Sequence, residues 1–261
     1  MPRPLRAACL SRRALGAAVV GLTASRMAGA KPTQSTGVLA AGTRFETSWR
    51  LIDSGQSGPT VMVVAGIHGN ELAPPEAAQQ LRSEPLATGR MLIVPEASRP
   101  AIAAKSRYAP RSLYPNLNRN FPTRQRSEPR GIMAPALWDR TRGLRPDWVL
   151  DLHEGWGFRA SSKSMGSSVV AAADRRVEDR LLPMAERVLA AVNKTITSPS
   201  KTFQLIRPGP NGSYARAVVE QLAIPALVLE TTWVQPLELR LAQQQLMVRT
   251  VLRALGMLPR P

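Results

Sequence analysis

Apolar residues along this chain fall into two kinds of stretch whose alternation predicts an α/β fold. The first kind is short and nearly unbroken, at 61–67, 91–94, 148–152 and 225–229, and is bounded by glycine, proline or charged residues. Such runs fit strands covered on both faces, as in a parallel sheet, where no polar face is needed. The second kind carries helical spacing. Over 174–193, Val177, Leu181, Leu182, Val188, Leu189 and Val192 share one side, with Asp174 as the expected cap. Helices are also expected over 74–83, opened by Pro74-Pro75, and over 134–143, 213–222 and 236–257. A helix-like segment covers 97–106. The stretch 45–52 alternates enough for an edge strand, 169–172 reads as a short strand, and the polar segment 31–42 reads as a mobile lead. The pattern as a whole predicts a single α/β domain, with a mixed, mostly parallel central sheet and helices on both faces.

Chemistry-bearing residues collect where these strands end, the end at which open α/β sheets place their ligand sites. The run 61–67 empties into Gly66-Ile-His68-Gly-Asn-Glu71 and the run 148–152 ends on His153; the chain has two histidines, and both occupy such positions. An H-x-x-E pair arises often by chance, and a loop histidine beside a solvated glutamate is its plainer explanation. If the two strands are close in one sheet, His68, Glu71 and His153 unite as two imidazoles and a carboxylate, a catalytic zinc set with a fourth position open to water. The last run ends on Glu230. Between them, 106–122 has neither period and holds Arg107, Arg111, Asn116, Asn118, Arg119 and Asn120. A long irregular segment of this kind is a solvated loop or a binding loop. Arginine forks match carboxylates, and one beside a zinc would stabilise a developing oxyanion. Gly155-Trp-Gly-Phe and the serine-rich Ser161 to Ser168 read together as a mobile rim of the site. Tyr214 is either a substrate contact or, more plainly, an ordinary amphipathic tyrosine.

Composition narrows the setting. Residues 1–30 contain Arg12-Arg13, an apolar stretch from Ala14 and then Ala28-Gly-Ala30, the pattern of a twin-arginine signal cleaved after residue 30. The apolar stretch is short and rich in Ala and Gly for a membrane span, although an uncleaved anchor competes with this reading. The expected location is periplasmic or secreted, without stable membrane insertion. Removing five arginines with the signal lowers the net charge from +17 to +12, and it removes Cys9, the single cysteine. The remaining positive charge suits a small acidic substrate or the anionic cell envelope. Dispersed charges and few aromatics speak against nucleic acid as a partner.

Four separated motifs, in order, resemble the zinc carboxypeptidase superfamily and, within it, the succinylglutamate desuccinylase/aspartoacylase family. Gly66-Ile-His68-Gly-Asn-Glu71 resembles the first zinc motif, and Leu-Asn118-Arg119-Asn-Phe-Pro resembles the clamp for a substrate carboxylate. Asp151-Leu-His153 and Leu229-Glu230 resemble the strand ends that bear the third ligand and the catalytic glutamate. The resemblance spans 61–230. It implies a zinc-carboxypeptidase-like fold, a zinc-dependent hydrolase domain over 31–261, and one Zn2+ per chain on His68, Glu71 and His153. It also implies Glu230 as general base and then acid, and Asn118 with Arg119 as the substrate clamp. Arg111, seven residues before Asn118, is the matching oxyanion arginine, with Arg107 as its competitor. The family commonly has Asp where this chain has Asn116, two residues before the Asn-Arg pair; an amide orients a ligand histidine but leaves it less basic. The aspartoacylase branch also carries a C-terminal β-rich domain in place of the single helix expected here, so the pocket should be more open.

The expected function is that of an exported zinc hydrolase cleaving an amide bond in a carboxylate-bearing substrate, an N-acyl amino acid or small peptide. The alternatives are a carboxypeptidase acting on peptidoglycan peptides and a catalytically silent binding protein for acidic ligands.

Overall fold

The computed structural model describes Met1 and residues 30–259. The expected export signal therefore lies, apart from its two ends, outside the described residues. Among these, strands β1 (Thr33–Leu39), β2 (Thr47–Asp53), β3 (Thr60–Val64), β4 (Arg90–Val94), β5 (Trp148–Gly155), β6 (Ser168–Ala171), β7 (Gln204–Ile206) and β8 (Ala226–Thr232) form one sheet. Its order is β1-β2-β4-β3-β5-β8-β6-β7. The centre, β4-β3-β5-β8, is parallel, while β2 and β6 run antiparallel to their inner neighbours. Every residue of β3, β5 and β8 is buried, which is why these strands read as unbroken apolar runs rather than alternations.

Six helices, α1 (Ala73–Gln80), α2 (Arg99–Ala103), α3 (Met133–Leu144), α4 (Glu178–Asn193), α5 (Tyr214–Leu222) and α6 (Leu237–Ala254), surround the sheet among the described residues. Helix α6 packs against α1 and α4, and α5 against β5 and β8. Side chains alternate across a strand, so Asp151 and His153 leave β5 on one face and Glu154 on the other. On that second face Arg240 of α6 holds Glu154 through Nη1, 3.0 Å from both carboxylate oxygens, and the Ala73 N–H of α1 donates to the same carboxylate at 3.0 Å. One turn along α6, Gln244 Nε2 donates to the carbonyls of His153 (2.8 Å) and Leu229 (3.2 Å). Helix α6 thus pins the functional ends of β5 and β8 to one another.

The ends of the sheet depart from the sequence expectation. The segment 31–42 is not a mobile lead: it contains β1, paired along its whole length with β2. That pairing makes β1 the edge and moves β2, the expected edge strand, one place inward. Apart from Leu39, none of the β1 residues is buried. Backbone hydrogen bonding holds it, and hydrophobic patterning reports burial only. The same reason hides β7, a three-residue strand at the opposite edge. Helix α4 begins at Glu178 because Asp174, the expected cap, accepts the Arg176 N–H at 3.0 Å within a turn.

Candidate metal centre and cleft

Three strand ends supply the site. The chain leaves β3 through the turn that carries His68 and Glu71, while His153 and Glu230 sit within β5 and β8 as register partners. The turn lies hard against α2: a Cβ on Gly69 would stand 2.0 Å from the backbone of Ala101, and the Gly69 N–H donates to the Ser106 carbonyl at 3.0 Å. Only glycine fits so close an approach.

Glu71 is the hub. His68 Nδ1 lies 2.7 Å from its Oε1 and His153 Nδ1 lies 2.9 Å from its Oε2, with all three side chains buried. The Glu154 N–H (3.0 Å) and Arg107 Nη1 (3.1 Å) also donate to this carboxylate. One ligand atom from each of His68, Glu71 and His153 lies within 4.8 Å of the others. The remaining ring nitrogens each face an oxygen: His68 Nε2 is 3.3 Å from Asn116 Oδ1, and His153 Nε2 lies 3.1 Å from Asp151 Oδ1 in an ion-pair contact. Two imidazoles turning their Nδ1 atoms on one buried carboxylate, each backed by an oxygen on the far side, is a donor set suited to a divalent cation such as zinc.

The electrostatics agree. Burial alone would raise the Glu71 carboxyl, yet His153 and His68 hold it well below the usual carboxylate range. Burial lowers His68, against the pull of Glu71. Burial opposes protonation of His153 too, but the carboxylates of Asp151 and Glu71 raise it well above the ordinary imidazole value. Glu230 goes the other way. Burial, reinforced by Glu71 and Asp151 and opposed by His153, pushes its carboxyl up to about 8. Its Oε2 is buried without a hydrogen-bond partner among the described residues.

A cleft of about 230 Å³ opens over this cluster, lined among others by Arg107, Arg119, Lys163, Ser213 and Glu230. Exposed Trp156 and Trp233 also line it. A larger hollow of about 720 Å³ lies at the opposite ends of the strands and contains neither histidine; there Asp147 is tied to the Thr60 N–H at 2.8 Å.

The segment 106–122 is exposed over much of 108–115 and is tied down by hydrogen bonds over 116–120. Asn116 Oδ1 accepts the Asn118 N–H at 3.1 Å and Asn120 Nδ2 donates to the Asn116 carbonyl at 2.7 Å. Asn118 is itself committed: its Oδ1 accepts the Tyr214 N–H at 2.9 Å, and its Nδ2 is 3.4 Å from His153 Nε2. Of the two arginines that compete for the oxyanion role, Arg107 reaches the cleft, whereas Arg111 is exposed, has a left-handed backbone (φ 51) and does not line it. Arg119 lines the cleft from its exposed rim.

Tyr214 is a core residue, its hydroxyl 2.7 Å from Thr141 Oγ1. The serine-rich rim is tied down, since Ser164 Oγ accepts the N–H groups of Gly157 and Gly166, both at 3.0 Å. Sequence reasoning missed Asp151, although a carboxylate two residues before a ligand on one strand shares its face. Trp156 and Lys163 fall in the stretch read as a rim, and both line the cleft, whereas nothing local announces Arg240 or Trp233.

The profile of the succinylglutamate desuccinylase/aspartoacylase catalytic domain matches residues 57–256. Over 104 residues the chain is 40% identical to the N-alpha-acetyl-L-2,4-diaminobutyric acid deacetylase of Halomonas elongata, a stretch that covers 38% of this chain and 29% of that protein. The product-bound ectoine utilization protein EutE (DoeB) from Ruegeria pomeroyi shares the fold with a TM-score of 0.61 at 22% identity, over 83% of this chain and 63% of that one. Csd4 of Helicobacter pylori, a D,L-carboxypeptidase solved with mDAP bound, has a TM-score of 0.61 at 19% identity, over 77% of this chain and 51% of that one. This chain therefore spans less than two thirds of each of these relatives.

Proposed function

Because the chain belongs to the succinylglutamate desuccinylase/aspartoacylase family of metallohydrolases, with His68, Glu71 and His153 as its metal site, we propose that it hydrolyses the amide bond of a small carboxylate-bearing substrate. The substrate class is an N-acyl amino acid or short peptide, and the ion is zinc. The observation that carries the reading is Glu230, a buried carboxyl with an unpaired oxygen, opposite His153 in the cleft.

His68, Glu71 and His153 would hold the zinc ion, which when bound would supply Lewis acidity toward the substrate carbonyl and toward water. Glu230 accepts the proton of the attacking water and then delivers it to the nitrogen of the leaving amine. Arg107, anchored on Glu71 and lining the cleft, stabilises the negative charge that grows on the carbonyl oxygen. Arg111 lies outside the cleft lining. Arg119 has no carboxylate partner among the described residues and takes the free carboxylate of the substrate. Asn118, fixed on the α5 N-terminus, holds that wall in place. The relative from Halomonas elongata, a deacetylase by name, supports an acyl group on nitrogen as the bond broken.

The test is a screen of zinc-loaded protein against N-acetyl, N-succinyl and N-formyl amino acids, with the released amine measured. Hydrolysis of at least one group of these is expected, and release of a C-terminal residue from muropeptides instead would move the activity to the carboxypeptidase alternative. Export is a separate part of the proposal and rests on Arg12-Arg13. Replacing both by Lys should trap the precursor inside the cell, and unaltered export would refute a twin-arginine route.

A further inference from the structure

Helix α5 begins on a serine that does not cap it. A serine at this position normally accepts the N–H of the second or third helical residue. Ser213 has the extended backbone of a cap (φ −74, ψ 155) and makes no such bond. Asn118 Oδ1 takes the first N–H of the helix, that of Tyr214. Ser213 is 1% exposed, and its hydroxyl oxygen has no hydrogen-bond partner among the described residues. Buried polar groups in folded proteins are nearly always paired, so one left unpaired calls for a reason. The reason is at hand in the cleft, which Ser213 lines together with Arg119, His153 and Glu230.

Ser213 and Arg119 belong to one wall. The Phe121 N–H donates to the Gly212 carbonyl at 3.2 Å, and a Cβ on Gly212 (φ 72) would stand 2.9 Å from the Arg119 carbonyl oxygen. Residues 212 and 214 are thus both bonded to the segment 118–121, with Ser213 between them. The N–H groups of the first helical turn lack partners within the helix and favour an anion, as does the adjacent guanidinium.

We propose that Ser213 is a specificity-determining residue whose hydroxyl donates to the substrate carboxylate beside Arg119, so that the cleft selects N-acyl amino acids with a free α-carboxylate over their α-carboxamides. The inference rests on the hydrolase reading above and adds a contact to it. A carboxylate presents acceptors only, whereas a carboxamide turns an NH2 group toward a wall of donors.

Kinetics on N-acetyl-L-alanine, N-acetyl-L-glutamate and N-acetyl-L-lysine and on their α-carboxamides, with zinc-loaded parent, Ser213→Ala and Ser213→Thr proteins, test the proposal. Ser213→Ala should raise KM for the free acids by about 10-fold or more, the effect of losing a hydrogen bond to a charged group. It should leave kcat and zinc content within about 3-fold and leave the carboxamides unaffected, and Ser213→Thr should restore the preference. Melting temperature separates this from a capping role: loss of a working cap lowers stability, whereas loss of an unpaired buried hydroxyl does not. An unchanged KM for the free acids, or a fall in melting temperature with equal losses on acids and carboxamides, overturns the proposal while leaving the hydrolase standing. A parent that cleaves acids and carboxamides equally removes the carboxylate subsite altogether, and a parent that cleaves none contradicts the function itself.

Discussion

His153 and Glu230 face one another as register partners on the adjacent parallel strands β5 and β8. A metal ligand and the proposed proton carrier are therefore held at a separation fixed by backbone hydrogen bonds rather than by loops. Gln244 bonds the carbonyls of His153 and Leu229 at once, which keeps the two strand ends in step.

Arg107 and Arg111 should separate cleanly. Arg107→Ala should lower kcat by roughly 10²–10³-fold, the usual loss on removing an oxyanion donor, with little change in zinc content. Arg111→Ala should stay within a few-fold of parent. Steady-state kinetics on a shared N-acyl amino acid decide it, and a large loss confined to the Arg111 variant would return the role to that residue.

The two ligand histidines are backed unequally, one by the Asn116 amide and the other by the Asp151 carboxylate. Asp151→Asn should weaken zinc binding and Asn116→Asp should strengthen it, each by about 10–100-fold. Competition against a fluorescent chelator reads both without any substrate. Equal affinities across the three proteins would show that these oxygens do not tune the site.

The Glu154–Arg240 pair is buried and joins β5 to α6. Arg240→Met leaves the Glu154 carboxylate unpaired and should cost about 3–5 kcal/mol of stability, whereas adding Glu154→Leu should recover much of it. Denaturant unfolding measures this; a single-variant loss below about 1 kcal/mol would mean that solvent reaches the carboxylate.

A pH signature belongs to Glu230 in the metal-free protein. Its carboxyl is raised from 4.5 to about 8 on folding, so the folded state binds that proton more tightly than the unfolded chain does. Its stabilising contribution is complete below about pH 4.5 and is lost as pH rises through 8. Glu230→Gln removes the effect. The variant should match parent near pH 4.5 and grow more stable than parent by a few kcal/mol toward pH 8.5, read as the difference in unfolding free energy across that range. A difference that stays flat with pH would place Glu230 in an ordinary solvated setting.

Much of this arrangement is written locally in the chain. The central strands are legible because burial on both faces leaves unbroken apolar runs, and His68, Glu71, His153 and Glu230 are legible because each follows or ends such a run. Strands β1 and β7 are not, since each sits at a sheet edge and draws its order from backbone pairing. Spacing from Asn118 favoured Arg111 over Arg107, but spacing does not record where a loop turns. In the fold Arg107 lines the cleft, and Arg111, which has a left-handed backbone, does not. Asp151 could have been read from its place two residues before His153 on one strand. Arg240 could not, because its partner Glu154 lies 86 residues away and no pattern within α6 marks the contact. Ser213 carries the sequence look of a helix cap, whereas in the fold its hydroxyl makes no capping bond.

The central claim is that Glu230 moves the proton in hydrolysis at the His68, Glu71 and His153 site. The most direct measurement is kcat of zinc-loaded Glu230→Gln protein on the best N-acyl amino acid found for the parent, with metal content determined on the same samples. The amide keeps the shape of the side chain and cannot accept the proton, so kcat should fall by roughly 10²–10⁴-fold while zinc stays at about one per chain, as one set of three ligands implies. Near-parental kcat with full metal occupancy would contradict the account.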